Sequence, residues 1–264
     1  IRKMCWNQGD WRFYKYYKEW QWKTYEMAKD IIAKHKIDIV HQLNMIGFRE
    51  PGYLWKIEEK PFVWGPIGGL KQFPEAYLQG SGIKMKVFNK LKNKINICQI
   101  KYDNRVNQAL TKADLLISSI PDSYHAIKKY KHLKSVIIPE TGCFKSKSTN
   151  QKTYGTDKKE LHILWVGKFD FRKQLNIALE TVAQLKHLEN LHLSICGTGN
   201  EKQNLHYKQV ATKLGITQQV TWHGNLNNAQ VLDLMKSVDL FFFTSVSEDT
   251  STVVLEADRK STRL

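Results

Sequence analysis

The stretch Asp239-Leu240-Phe241-Phe242-Phe243-Thr244-Ser245-Val246-Ser247-Glu248-Asp249-Thr250-Ser251-Thr252-Val253-Val254-Leu255-Glu256-Ala257 reads as a strand, a loop and the opening of a helix. Its apolar, aromatic start predicts a buried strand. The Ser/Thr-rich segment after Glu248 offers N-cap side chains, so a helix is expected from Val253 to Ala257. The two glutamates stand eight residues apart across this junction. A helix N-terminus presents N–H groups without intrahelical acceptors at the positive end of the dipole, which suits a phosphate. Glu256, about one turn inside, is placed to reach ribose hydroxyls, and Glu248, in the loop, to touch a sugar. The combination points to a sugar-nucleotide site.

Upstream, strand-like and helix-like segments alternate. Expected strands are His162–Val166, Leu191–Cys196 and Val220–His223, and expected helices are 174–187, 200–214 and 227–238. This spacing implies a parallel sheet. Residues 144–160 are polar and read as a linker or exposed loop. The first part repeats the alternation: an amphipathic helix over 20–36, strands at Ile37–His41 and Pro61–Trp64, a helix over 101–112, a strand at Leu115–Ser119, a helix from Ser123 and a strand at Val136–Ile138. The turn Gly65-Pro66-Ile67-Gly68-Gly69 is expected to end the second strand. The fold class is therefore α/β, in two units: 1–143, and 161–257 after the linker.

The chain has 264 residues, 42% of them hydrophobic, enough for two small domains. Its four cysteines, Cys5, Cys98, Cys143 and Cys196, form no C-x-x-C pair, so a reduced compartment without structural zinc is expected. No run of eighteen apolar residues predicts a membrane span, and the opening Ile1-Arg2-Lys3-Met4 has no leader pattern. The expected setting is cytoplasmic. Residue 1 is not Met and no Gly-rich opening strand precedes Trp6, so the first unit is expected to be incomplete. The last seven residues, 258–264, break the pattern like an adapter-derived tail, so the second unit is expected to be truncated. That tail holds three basic residues and one acidic residue, so without it the formal net charge falls from +16 to +14 and the chain stays basic. Such a charge suggests polyanionic partners: nucleic acid, an anionic membrane surface, or a phosphorylated substrate. Lysines alternate with apolar residues at Lys84–Lys86, Lys90–Lys94 and Lys128–Lys134. They read either as solvated helix faces or as attachment to anionic lipid, at about 1 kcal/mol per basic residue near the surface.

Ligands of parallel α/β sheets sit at the C-terminal strand ends. Four such ends carry suitable groups: Gly167-Lys168 through Lys173, Gly197-Thr198-Gly199-Asn200-Glu201, His223-Gly224-Asn225, and the glutamate pair. Lysines, glycine loops and a helix N-terminus together suit a pyrophosphate, each charge-assisted hydrogen bond contributing roughly 1.5–3 kcal/mol.

In order and spacing, Val166-Gly167-Lys168 with Lys173-Gln174, Gly197-Thr198-Gly199-Asn200-Glu201, Val220-Thr221-Trp222-His223-Gly224, Asp239 to Ser245, and Glu248 with Glu256-Ala257 resemble the family-4 retaining glycosyltransferases. The likeness covers about 161–257. Trp64-Gly65-Pro66-Ile67-Gly68-Gly69 and Ile138-Pro139-Glu140-Thr141-Gly142 are similar to a subgroup of the same enzymes. The resemblance implies a GT-B fold, two Rossmann-like domains facing across a cleft, and transfer of a sugar from a nucleoside-diphosphate sugar to a glycan or lipid-linked acceptor. It implies retention of anomeric configuration and no metal or other cofactor. Lys168 and Lys173 would bind the diphosphate, Glu248 the transferred sugar and Glu256 the ribose. Gly197, Gly199 and Gly224 would let backbone approach the base or phosphate, and Thr252 and Val253 would offer amides. His41, Gly68 and Gly69 would lie on the acceptor side. Polysaccharide or lipopolysaccharide assembly, peripheral to the inner membrane face, is the implied setting. Two positions depart from the family: its arginine is Lys168, which loses the bidentate fork, and its glycine after the second lysine is Gln174.

Each residue also has a plainer reading. Lys168 and Lys173 could be solvated loop charges, Gly197 and Gly199 a tight turn. Glu256 could pair with a base on a helix surface, and Glu248 could be a helix-entry charge. His41 reads equally as a satisfied core histidine, His223 as structural, and the aromatic residues over 6–25 as helix packing. A basic, non-enzymatic nucleic-acid- or membrane-surface-binding protein is the competing function, although the basic residues are dispersed and no nucleic-acid motif stands out, which makes nucleic acid the weaker partner. A phosphorylase would need a cofactor lysine with no evident position.

Overall fold

The computed structural model describes residues 12–43, 45–78, 81–142 and 160–258. The readings placed on Trp6, Cys5, Cys143, the polar stretch up to 159 and the tail from Arg259 lie outside these residues. The chain divides into two compact units, Ile1–Glu140 and Thr141–Leu264. Each holds a parallel four-stranded sheet with helical connections. Among the described residues no helix is long and apolar enough to cross a membrane.

The first unit runs α1 (Arg12–Lys34), β1 (Val40–Gln42), β2 (Phe62–Ile67), α2 (Ile83–Tyr102), α3 (Asn104–Lys112), β3 (Leu115–Ser118), α4 (Pro121–Lys131) and β4 (Val136–Ile137), with strand order β1-β2-β3-β4. Trp64, Phe62, Ile67, Leu116, Val106 and Ile127 form its core. Helix α1 begins eight residues before the expected start, because its aromatic side chains pack on one another: Phe13 stacks on Tyr17, and Tyr17 meets Trp20. The Gly-Pro pair does not end β2. The strand continues to Ile67 past a register shift, and Gly65 is needed there, since at φ +145° a Cβ would stand 2.3 Å from the Ile117 carbonyl oxygen. The lysine-rich segment before residue 101 is a 20-residue helix. It stops at Tyr102 because Asp103 leaves helical geometry and caps α3, its side chain accepting from the Val106 amide. Glu50, 5% exposed, ties α1 to α3 through Lys18 (3.6 Å) and Arg105 (2.7 Å).

The second unit runs β5 (Leu161–Val166), α5 (Leu175–Gln184), β6 (Leu191–Cys196), α6 (Glu201–Leu214), β7 (Val220–Gly224), α7 (Asn228–Ser237), β8 (Leu240–Phe241) and α8 (Thr252–Asp258), with strand order β7-β6-β5-β8. Alternate residues of a strand face opposite sides of the sheet. Ile163, Trp165, Leu193 and Ile195 therefore pack with Leu175, Leu179 and Val182 of α5 and Tyr207 and Ala211 of α6. Leu164 and Cys196 pack on the other face with Val231 and Met235 of α7 and Val253 and Ala257 of α8. Asn200 and Asn227 start α6 and α7 with full capping boxes closed by Gln203 and Gln230. The aromatic run at 239–243 is not the buried strand it promised. Only two residues are strand, and Leu240 is 47% and Phe243 37% exposed. The reason is position: β8 is the sheet's edge and pairs with β5 alone.

One device occurs in both units. Asp114, just before β3, exchanges two hydrogen bonds with Phe62 at the start of β2: its amide donates to the Phe62 carbonyl (2.9 Å) and its carboxylate accepts from the Phe62 amide (2.8 Å). Asp239, just before β8, does the same to His162 of β5, at 2.8 and 3.0 Å.

Candidate functional site

The C-terminal ends of β5, β6 and β7 are bound to each other by backbone. The Gly167 amide donates to the Cys196 carbonyl (3.0 Å), the Phe169 amide to Thr198 (3.2 Å) and the Gly197 amide to Gly224 (2.7 Å). Gly197 adopts φ +141°, where a Cβ would lie 1.8 Å from the Gly167 carbonyl oxygen, so only glycine fits. The Gly199 amide donates to the Asn204 side chain at 2.9 Å, beside the capping box of α6. Gly197 and Gly199 thus serve the protein's own close packing.

The loop after β5 is fixed by Phe169, 4% exposed, whose ring meets Trp165, Tyr207 and Trp222. Lys168 is left exposed on that loop, and its ammonium makes no hydrogen bond or ion pair among the described residues. Asp170 accepts from the amides of Arg172 (2.8 Å) and Lys173 (3.3 Å), winding Phe171–Lys173 into one 3-10 turn. Burial, with the Asp170 carboxylate nearby, pushes the Tyr207 hydroxyl above its ordinary range. Gln174 follows at φ 49°, a left-handed position, and its side-chain amide donates to the Phe171 carbonyl (2.7 Å).

Thr244 joins this turn to β8. Its hydroxyl donates to the Lys173 carbonyl (2.7 Å) and accepts from the Trp165 indole (2.9 Å), while the Val246 amide donates to the Arg172 carbonyl (2.8 Å). These bonds bring Lys173 and Glu248, far apart in sequence, to an ion pair of 2.7 Å whose side chains are 17% and 21% exposed. Glu248 is therefore more than a helix-entry charge. Thr252 and Val253 stand in the first turn of α8, where helix geometry leaves N–H groups without intrahelical acceptors. Glu256, one turn on, accepts from the Asn228 side chain of α7 (3.0 Å), a neutral partner in place of the base that a surface pair would need. Asn228 and Thr244 were missed by sequence reasoning. Thr244 closes the aromatic run just before Ser245, which was a usable signal; nothing in the sequence couples Asn228 to Glu256.

In the first unit, His41 Nε2 donates to the Gly65 carbonyl (2.8 Å), since a carbonyl can only accept. The Gly68 amide donates to Ile46 (2.7 Å), and its carbonyl accepts from Phe48 (3.2 Å). The Gly69 carbonyl accepts from Asn96 of α2 (3.3 Å). Among remaining titratable groups, burial pushes the Cys196 thiol up to about 11, which makes it inert. His223 bonds Ser194 (3.1 Å), in keeping with a structural role.

Residues 146–259 match the family described as glycosyl transferases group 1. An uncharacterized glycosyltransferase of Methanocaldococcus jannaschii is 27% identical over 107 residues, 40% of this chain and 27% of that protein. Similar solved structures include WaaG, a glycosyltransferase involved in lipopolysaccharide biosynthesis (TM-score 0.52, 17% identity, 89% of this chain and 61% of that one). HepE of Anabaena in complex with UDP gives 0.56, 16%, 88% and 60%. A glycosyltransferase of Rickettsia africae gives 0.60, 14%, 90% and 59%. The chain thus spans less than two thirds of each of these relatives. The likeness shows the fold: α/β units of the kind found in GT-B glycosyltransferases.

Proposed function

We propose that this chain acts as a glycosyltransferase, moving a sugar from a nucleoside-diphosphate sugar to a glycan or lipid-linked acceptor, with retention of anomeric configuration and without a metal ion. The observation that carries the reading is the half-buried Lys173–Glu248 pair at the C-terminal ends of β5 and β8, next to the first turn of α8. The match to glycosyl transferases group 1 over the same residues supports it, as does UDP in a structural relative.

In this mechanism Lys173, held extended by Glu248, turns its remaining N–H groups to the diphosphate. Lys168 and the amides of Thr252 and Val253 complete the cradle. As the glycosidic bond breaks, negative charge collects on the departing diphosphate, and these donors are already in place to neutralise it. Removing one such donor costs ~10²–10³ in rate. Glu248 meets the hydroxyls of the transferred sugar, and Glu256, oriented by Asn228, takes the ribose. Gly224 lets backbone approach the base, and the glycines after β5 and β6 hold the loops. His41, Gly68 and Gly69 serve the acceptor side. The reaction runs at the cytoplasmic face of a membrane.

Thermal unfolding with UDP-glucose, GDP-mannose and the free diphosphates tests this. A donor at about a hundred times its Kd stabilises by ~2.7 kcal/mol, a rise of about 5–10 °C for units of this size. Glu256→Ala abolishes the rise while leaving the unliganded midpoint within about 4 °C, because an exposed-side hydrogen bond is worth only ~1 kcal/mol. No rise with any donor, together with steeply salt-dependent binding to random DNA, would replace the enzyme by a nucleic-acid binder.

A further inference from the structure

The first sheet is carried past the ends of β1 and β2 by the loop that follows β1. Gly47 and Gly68 form a parallel bridge, in which the Gly68 amide donates to the Ile46 carbonyl and the Phe48 amide to the Gly68 carbonyl. Arg49 comes next, so it stands at the C-terminal edge of that sheet, the end at which ligands of parallel sheets sit. Its half-buried side chain is held on three sides. Nε donates to the Gln99 carboxamide oxygen (3.1 Å) and Nη2 to that of Asn96, both on α2. The guanidinium carbon lies 5.2 Å from the centroid of the Phe48 ring, which is buried. Asn96 is itself one of the buried residues of α2, with Asn89 and Ile100, and its amide donates to the Gly69 carbonyl. The remaining edge, Nη1, lies beside Gly69, where a Cβ would stand 3.8 Å from it. Glycine leaves that edge uncovered.

Among the described residues Arg49 makes no ion pair, and neither Nη1 hydrogen has a partner. The carboxylate next to it in sequence, Glu50, is taken by Lys18 and Arg105. Burial pulls the Arg49 guanidinium below the ordinary arginine range, with the nearby Tyr14 phenol opposing. It stays charged at neutral pH all the same. A charge withdrawn from water costs stability unless an opposite charge compensates it. A neutral glutamine could donate to the same carboxamides without that cost. What arginine adds is a fixed, partly desolvated cation with one edge open, which suits two oxygens of an oxyanion. We propose that the Nη1 edge of Arg49, beside Gly69, binds an oxyanion carried by the acceptor, a carboxylate or a phosphate on a sugar. Resting on the glycosyltransferase reading, which gives the donor to the second unit and the acceptor to the first, this site adds that the acceptor is acidic.

The test is nuclear magnetic resonance of the full chain with isotope-labelled arginine and glycine, titrated at constant ionic strength with glucose, glucuronate and glucose 6-phosphate. The Nε–H signal of Arg49 is identified by its loss in Arg49→Lys. It is expected to shift saturably with glucuronate, glucose 6-phosphate or both, at least about tenfold more tightly than with glucose. A response to one anion alone names the group the acceptor carries. The Gly69 amide reports on the same place in variants that lack the arginine. On that signal Arg49→Met brings the anion affinity down to that of glucose, and Arg49→Lys, which keeps the charge without the fork, falls between. The parent's Arg49 signal decides the matter even where Arg49→Met folds poorly. An Arg49 signal that neither anion moves, one that glucose moves equally, or an anion affinity at Gly69 that survives Arg49→Met overturns the proposal. The UDP-induced rise in melting temperature is read on the same chain. A rise with a silent Arg49 strikes the anion site alone, whereas a responding Arg49 without any donor-induced rise keeps the anion site and strikes the enzyme reading.

Discussion

Replacing Lys173 by Met keeps most of the stem and removes the charge that faces Glu248. At 2.7 Å the gross attraction is about 6 kcal/mol for an effective dielectric of about 20. Desolvation of both groups offsets most of it. Exposed pairs are worth about 0–1 kcal/mol, and breaking a fully buried pair costs about 3–5 kcal/mol. With side chains 17% and 21% exposed, this pair lies between these limits. Lys173→Met should therefore destabilise the second unit by about 2 kcal/mol. Glu248→Gln should cost about the same, and the double variant about 1–2 kcal/mol less than the sum of the two. Urea unfolding in a double-mutant cycle reads this coupling. The same variants separate the two roles in donor binding. Lys173→Met should lose the stabilisation given by free UDP. Glu248→Gln should retain it, because the glutamate competes with diphosphate for the lysine, and should lose only the increment due to the sugar. A coupling below about 0.5 kcal/mol would refute the view that the two groups hold each other, and a Glu248→Gln variant that no longer binds UDP would refute the view that the glutamate competes with the diphosphate for the lysine.

Gln174 sits left-handed, so Gln174→Val should cost about 1–2 kcal/mol while Gln174→Gly stays within about 0.5 kcal/mol of the parent, as chemical denaturation will show. Arg105→Ala removes the closer partner of the buried Glu50 and should cost about 3 kcal/mol in the first unit, measured the same way. His192 is held below its ordinary pKa by burial, and by His162 and His223 beside it. The unfolded chain then binds more protons than the folded one below pH about 6.5, so stability should fall as pH drops through that value toward the lowered folded pKa. His192→Gln should flatten that part of a melting-temperature profile across pH.

Continuous apolar runs made the second sheet readable. Leu191–Cys196 was placed to the residue, because a strand buried on both faces needs no alternation and is bounded by polar turns. The glycine-and-lysine loops were legible because strand ends in parallel sheets have few uses. Helix α2 was read only as solvated helix faces at Lys84–Lys86 and Lys90–Lys94, without its bounds, since its inward face is asparagine and hydrophobic periodicity points the wrong way there. The start of α1 was hidden by aromatic residues that favour strands in isolation and pack as a helix in context. The Lys173–Glu248 pair depends on Thr244 and Val246 bonding across the sheet edge, a contact no local pattern encodes. Glu256 could be singled out, but its neutral partner Asn228 could not.

Asp239 stands at the opposite end of the second sheet from Glu248, yet it governs where that glutamate lies. Its two bonds to His162 set the starting line of β8. A strand advances about 3.3 Å per residue, so a slip of a single position there would displace everything downstream by more than the length of a hydrogen bond. The ion pair with Lys173 would be out of range, and every side chain of β8 would change face. An aspartate at the far end of the strand thus acts as the gauge against which the opposite end of the sheet is measured, and its loss should read as a broken Lys173–Glu248 pair before it reads as lost fold.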